Sequence, residues 1–400
     1  MAEFRVPREQ AQDVPREGIP LARPQLGGRE QELVAEVISS GMLSLGPMLT
    51  HFETDFASVL GVPTAVAVSS GTSALHLAVR GEGWGRGDRV VTTPLSFIAS
   101  ANCLLFEDVE PVFADIDPRT LCLDPGAAEA AIDDRTVGVL PVHIFGQPAA
   151  VEELERVASA RGLGLIEDCA QAIGTLCADG RPAGGRGNAA AFAFYANKQI
   201  TTGEGGVLVP PDLDRDQLAR SERNQGRAPG MAVMDHERLG FNYRMTDIQA
   251  AIGIAQLERL ESILDRRRLI ARLYTERFRE LGGIEPETGS EAELLLPVAD
   301  RGEARRSWFV YLLRLPTDAD REGVIAALAS EGIDARPYLP CIHTSRFYRE
   351  RFGFSGGEFP MAEEFSRRAL ALPFFPDLSE AEVERVVGAV ARALGRTPPS

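Results

Sequence analysis

The sequence predicts an α/β fold: a mixed, mostly parallel sheet covered on both faces, followed by a smaller α+β unit. Three observations carry this. Short apolar strand-like runs alternate with helix-like runs from Thr64 to Asp168, and near-continuous apolar strands belong in sheets buried on both faces. That rhythm stops after Asp168, where AAAFAFY (residues 189–195) and GGVLV (205–209) lie too close for a crossover helix. A long run of strong helix formers from Thr246 to about Leu281 then leads into a second unit.

Residues Met1 to Gly18 read as a mobile tail. After Gly28, REQELVAEVISS repeats apolar residues at helical spacing. TAVAVS (64–69) is a strand, GTSALHLAV (71–79) a helix, DRVVTTP (88–94) a strand, FIASANCLLF (97–106) a helix and PVFADID (111–117) a strand. VGVLPVHI (137–144) and GLGLIEDC (162–169) are two more strands, with the helix VEELERVASA (151–160) between them. The short gap after residue 195 makes at least one of the next two strands antiparallel. In the smaller unit SWFVYLLRL (307–315) is a strand, DREGVIAALASEG (320–332) a helix and LSEAEVERVVGAVARAL (378–394) the last helix. The expected division is a tail at 1–18, a large domain at 19–255 and a small domain at 256–400.

Composition narrows the classes. The chain is 44% hydrophobic and 25% charged, with a net charge of −16, which argues against non-specific nucleic-acid binding and against a polybasic membrane surface. An anionic small ligand would need a local cluster of cations or helix N-termini. Five scattered cysteines with no C-x-x-C pair read as reduced thiols, and the five histidines form no H-x-x-x-H pair, so no metal site is expected. No apolar leader and no run of about 20 apolar residues is visible, so a cytoplasmic chain is expected.

Chemistry concentrates in FAFYANKQITTGEGG (192–206). Lys198 lies between two apolar runs in a Thr- and Gly-rich loop, surroundings that disfavour the ammonium form and suit a lysine that must attack a carbonyl. A solvated lysine in a hairpin turn is the alternative. Asp168 ends an apolar strand at the edge where open α/β sheets place ligands; alone it reads as a helix cap or ion-pair partner. Together, a lysine and a buried acid meet the needs of pyridoxal phosphate, whose ring nitrogen must stay protonated to accept electrons. VSSGTSAL (68–75) passes from strand to helix through small residues and offers the N–H groups of Gly71, Thr72 and Ser73 to a phosphate. Phe97 can stack on a planar ring or belong to the core. Arg244, Arg336 and His343 are candidates for anionic ends of substrates, surface ion pairs being the other reading. His143 follows a strand and reads equally as a satisfied core histidine.

These parts, in this order, resemble the sugar aminotransferase family called DegT/DnrJ/EryC1/StrS, a branch of the fold-type I pyridoxal-phosphate enzymes. SSGTSAL, IEDCAQAIG, FYANKQITTGEGG, GFNYRMTDIQAAIGIAQLERL and ALPFFPDLSEAEVERV carry the resemblance, which runs from about Ile19 to Leu394. It implies a seven-stranded large domain that binds pyridoxal 5′-phosphate, with Lys198 as the Schiff-base lysine and Asp168 as partner of the ring nitrogen. It also implies Gln171 on the ring hydroxyl, Phe97 on the ring face, and Gly71, Thr72 and Ser73 on the phosphate. Asn242 would reach the cofactor of a neighbouring subunit, giving a homodimer with shared sites. Substrates implied are a nucleotide-linked ketosugar and glutamate with its product 2-oxoglutarate. Ala193 stands where many members carry a phosphate-binding Ser, and Tyr195 where His is frequent. Members that aminate C4 of a sugar tend to read ITTGEGG after the lysine, as here, whereas C3-specific members tend to read NLGA-x-GDGG. Keto-cyclitol and 3-ketosugar aminotransferases are the near alternatives.

Two other classes remain open on sequence. A G-x-G-x-x-A match at Gly185, Gly187 and Ala190 suggests a nicotinamide oxidoreductase, but it precedes a strand instead of following one. A catalytically silent homologue would not need Lys198 and Asp168.

Overall fold

The computed structural model describes residues 18–228, 235–286 and 293–397; most of the expected tail lies outside them. Seven strands form the main sheet: β1 (Val66–Val68), β2 (Arg89–Thr92), β3 (Glu110–Phe113), β4 (Thr136–Leu140), β5 (Gly164–Asp168), β6 (Ala189–Ala193) and β7 (Gly206–Val209). Their order is β1-β7-β6-β5-β4-β2-β3. Every neighbouring pair is parallel except those of β7, which runs antiparallel to both β6 and β1. The close spacing of residues 195 and 205 thus resolves as one reversed strand. Apolar residues along a strand divide between faces: Ala189 and Ala191 enter one core, Ala190 and Phe192 the other. The sheet is therefore covered on both sides, as the near-continuous apolar strands require.

The helices behave as their sequences dictate. The segment Gly28–Ser40 buries Leu33 and Val37, and Gly71–Gly81 is capped by Ser70, whose Oγ accepts the Ser73 N–H at 3.1 Å. A second early helix, Pro47–Leu60, was not anticipated; Pro47 opens it behind Gly46, and Phe52 and Phe56 are wholly buried. The long helix expected from Thr246 is two helices, Asp247–Glu258 and Leu260–Glu280, parted at Arg259 (φ −113°, ψ 6°). The first is buried over most of its surface against the core on one face of the main sheet; the second begins in that same core with Leu260, Ile263 and Leu264 and passes into a C-terminal core with Ile270, Tyr274 and Phe278. That C-terminal core closes on a two-stranded antiparallel sheet, β8 (Tyr311–Arg314) with β9 (Ala369–Leu372), and on helices Arg321–Ser330 and Glu380–Ala393. No helix among the described residues is long and apolar enough to cross a membrane.

Because β1, β2, β4, β5 and β6 run the same way, their carboxyl ends open onto one edge. Ser70, Phe97, Phe145, Asp168 and the Lys198 loop all follow those ends. The Gly185–Gly187 stretch lies in the loop leading into β6, so it has no dinucleotide-turn context.

Candidate active site

A cleft of about 630 Å³ lies over this edge. Ser70, Gly71, Thr72, Phe97, Ser100, Asp168, Gln171, Ala193, Tyr195, Lys198, Phe309, Arg336 and Tyr338 are among its walls. Asp168, the last residue of β5, is only 3% exposed. Its Oδ2 accepts from the Ser100 hydroxyl at 2.6 Å and its Oδ1 from the Ala170 N–H at 3.0 Å. Burial raises its pKa, opposed by those donors and by the charge of Lys198. No guanidinium or imidazole among the described residues hydrogen-bonds this carboxylate, so a buried acid faces the cleft without a close cationic partner.

Lys198 follows β6 in a turn whose neighbours hold it in place. Its Nζ lies 4.3 Å from the centre of the Phe309 ring. The residue keeps one side open to the cleft, yet burial of the amine lowers its pKa to about 8, against the pull of Asp168. Next to it, Gln199 Nε2 donates to the Gln171 carbonyl at 2.6 Å and to Ser307 Oγ at 2.8 Å. The buried Arg267 donates to the Lys198 carbonyl at 3.4 Å and to those of Trp308 and Phe309 at 3.2 Å each. The lysine backbone is therefore pinned from two sides.

The loop from Lys198 back to β7 fits against the phosphate-type turn. Gly206 pairs with Ala193 on one side and Val68 on the other. A methyl group on Gly206 would press into the Ser70 carbonyl and within 2.7 Å of the Gly71 nitrogen, and one on Gly71 within 2.5 Å of Ala193 Cβ. Small residues are required where these strands and the helix start converge. The Gly71 and Thr72 N–H groups, in the first turn of their helix, have no acceptor within it. They point the positive end of an eleven-residue helix at the cleft.

Gln171 Oε1 accepts the Phe145 N–H at 2.8 Å, which leaves its amide nitrogen as the donor available to the cleft it lines. Phe145 holds a left-handed backbone (φ 58°) to make that bond. Phe97 is 59% exposed although it lies over the cleft, a large ring without a cover. A buried acid, a pinned amine, two free helix amides, an amide donor and a bare aromatic face together fit pyridoxal phosphate.

Several predicted residues lie elsewhere. Ser73 sits behind the helix start, its N–H taken by Ser70 and its hydroxyl near those of Ser69 and Ser70, so it is not part of the cleft wall. His343 is not a substrate contact: it is fully buried, ring against Phe113, Phe354 and Phe359, with Nε2 3.0 Å from Glu363. Arg244 extends the β1 edge opposite Val68 and donates to Asn224 at 3.1 Å, away from the cleft wall of its own chain. Asn242 is exposed and likewise outside that wall. Arg336 does line the cleft, its backbone paired with Ala371. His143 is a satisfied core histidine: Nδ1 accepts the Ala149 N–H, so Nε2 carries the proton toward Glu167.

Ser100 and Tyr338 were not anticipated. A serine in the first turn of a helix reads as a cap, and nothing in the sequence distinguishes it. The composition carries a further signal. Of the 42 lysine and arginine residues only one is a lysine, Lys198. A chain that uses arginine for every other cation keeps its one primary side-chain amine in the cleft.

The fold and site are those of a pyridoxal-phosphate-dependent aminotransferase. The chain belongs to the DegT/DnrJ/EryC1/StrS aminotransferase family, whose model matches residues 24–391. It is 37% identical over 386 residues to a GDP-perosamine synthase of Caulobacter vibrioides, covering 96% of this chain and 99% of that one. It is 36% identical to the spore coat polysaccharide biosynthesis protein SpsC of Bacillus subtilis, covering 93% and 96%. The crystal structure of DesV from S. venezuelae superposes with a TM-score of 0.83 at 33% identity, over 92% of this chain and 95% of that one.

Proposed function

We propose that this sugar aminotransferase converts a nucleotide-linked 4-keto-6-deoxyhexose to the 4-amino sugar, with glutamate as amino donor. The observation that carries the 4-keto assignment is the loop Gln199–Gly206, which reads QITTGEGG and lines the cleft through Glu204 and Gly205, next to Lys198. The name of the Caulobacter relative, a GDP-perosamine synthase, supports an amino sugar carried on a nucleotide.

Bound pyridoxal phosphate supplies an electron sink for the carbon that loses its proton. Asp168 holds the proton on the ring nitrogen; its two neutral donors keep the carboxylate aimed but do not neutralise it. Lys198, with a pKa near 8, has an appreciable fraction of free amine at neutral pH and serves as base and acid at the reacting carbon. Gly71 and Thr72 N–H groups hold the phosphate, and the Ser70 and Thr72 side chains, which share the cleft, replace the hydroxyl missing at Ala193. Gln171 would donate to the ring hydroxyl, and Phe97 would stack on the ring. Arg336, at the open side, binds an anionic part of the substrate. Asn242, exposed on its own chain, contributes to the site of a second subunit in a homodimer.

Regiochemistry depends on how the hexose lies over the lysine, and a shift of about 1 Å is enough to favour one ring carbon over its neighbour. Incubation with a panel of nucleotide-linked 4-keto and 3-keto sugars and keto-cyclitols, with NMR of the products, tests the proposal. Nitrogen at C4 is expected; nitrogen at C3, or turnover of a keto-cyclitol alone, overturns it.

A further inference from the structure

Away from the cleft, a cavity of about 30 Å³ lies where Leu295–Val298 and β8 meet Phe145 and Gln147. Arg306 and Arg314 line it, each more than nine-tenths buried. Arg306 directs Nε and Nη2 at a single acceptor, Gln147 Oε1, and lies 4.5 Å over the Trp308 ring. The Arg314 guanidinium has no hydrogen-bond acceptor among the described residues; only its backbone is engaged, paired with Leu295 in both directions. Burial lowers both guanidinium pKa values to about 10, which still leaves them charged at neutral pH.

Nearby acids are engaged elsewhere. Asp300 accepts the Arg306 backbone N–H at 3.2 Å, Asp117 accepts the backbone N–H groups of Arg119 and Thr120, and Glu364 is held by Arg368. Among the described residues no carboxylate lines the cavity. Two largely buried cations face one small space that no carboxylate of the described residues lines, a local positive charge that a small anion would offset. The space holds about two water molecules, enough for a halide and too small for a sugar or a nucleotide.

We propose that this cavity binds one halide-sized inorganic anion, chloride in ordinary buffers, between Arg306 and Arg314. The anion would bridge the Leu295–Val298 segment to the Phe145–Gln147 turn. Phe145 lines both this cavity and, through its N–H, the hydrogen bond that orients Gln171, so occupancy should steady that turn.

Bromide is the direct probe. Crystals of the holoenzyme soaked in sodium bromide should show an anomalous peak between the two guanidinium groups. Only water there, or a carboxylate of the chain itself, overturns the proposal. In solution, the thermal midpoint of the holoenzyme should rise by something on the order of 2 °C when potassium chloride replaces potassium gluconate at equal ionic strength. Arg314→Met should remove that difference, and an unchanged difference in the variant would count against the site. If the variant does not fold, the bromide experiment on the wild-type protein still decides.

Discussion

Burial dominates the protonation of Asp168 and Lys198, and the attraction between them moderates it. Burial pushes the Asp168 carboxyl up and the Lys198 amine down, while mutual attraction opposes both shifts. Capture of pyridoxal phosphate by the cofactor-free protein needs the neutral amine, so its rate should rise with pH through an inflection near 8. Asp168→Asn removes the opposing attraction, so the inflection should move to lower pH. Turnover should meanwhile fall by far more than tenfold, or about 1.4 kcal/mol of barrier, because the ring nitrogen loses its partner. Stopped-flow absorbance for capture and steady-state rates for turnover test both; an inflection that stays put, or a turnover loss below tenfold, contradicts the pairing. At this scale the sequence was informative where chemistry restricts the choice of residue. Lys198 and Asp168 stand out only as a pair, because a loop lysine or a strand-end acid alone has ordinary structural uses. His343 misled because a histidine buried among aromatic rings looks, in one dimension, like a ligand-binding one. Ser100 was invisible because its partner is 68 positions away.

Elements show the same division between local and distant causes. The parallel strands and their helices were legible from apolar runs and period, and the reversal of β7 from a gap too short for a crossover. Helix Pro47–Leu60 was missed although Gly46 and Pro47 mark its start, and β9 was hidden in ALAL, which reads as helix as readily as strand. The break at Arg259 (φ −113°, ψ 6°) has no glycine or proline beside it to announce it in the sequence. Gly206 tests the element-scale account. A methyl group there meets backbone of Ser70 and Gly71, not a flexible side chain, so Gly206→Ala should cost about 1–3 kcal/mol of stability and weaken cofactor binding together. Thermal unfolding and cofactor titration provide the check. Wild-type values for both would show that the loop and helix start are not tightly joined.

At the scale of the whole molecule, the cleft draws its walls from segments far apart in the chain, Asp168 and Lys198 before the long helix Leu260–Glu280 and Phe309, Arg336 and Tyr338 after it. The exposure of Asn242 fits a site completed by a second subunit. Mixing inactive Lys198→Ala protein with an inactivated Asn242→Ala protein under subunit exchange should then restore part of the activity; full activity in a protein that sediments as a monomer would contradict sharing. The composition of the chain makes the central claim unusually easy to test. Lys198 is its only lysine, so a reducible link between pyridoxal phosphate and a side chain can form nowhere else. Borohydride reduction of the holoenzyme followed by intact-protein and peptide mass spectrometry should find one phosphopyridoxyl group per chain, on the peptide containing Lys198. A holoenzyme that turns over yet carries no reduced adduct on that peptide would contradict the account.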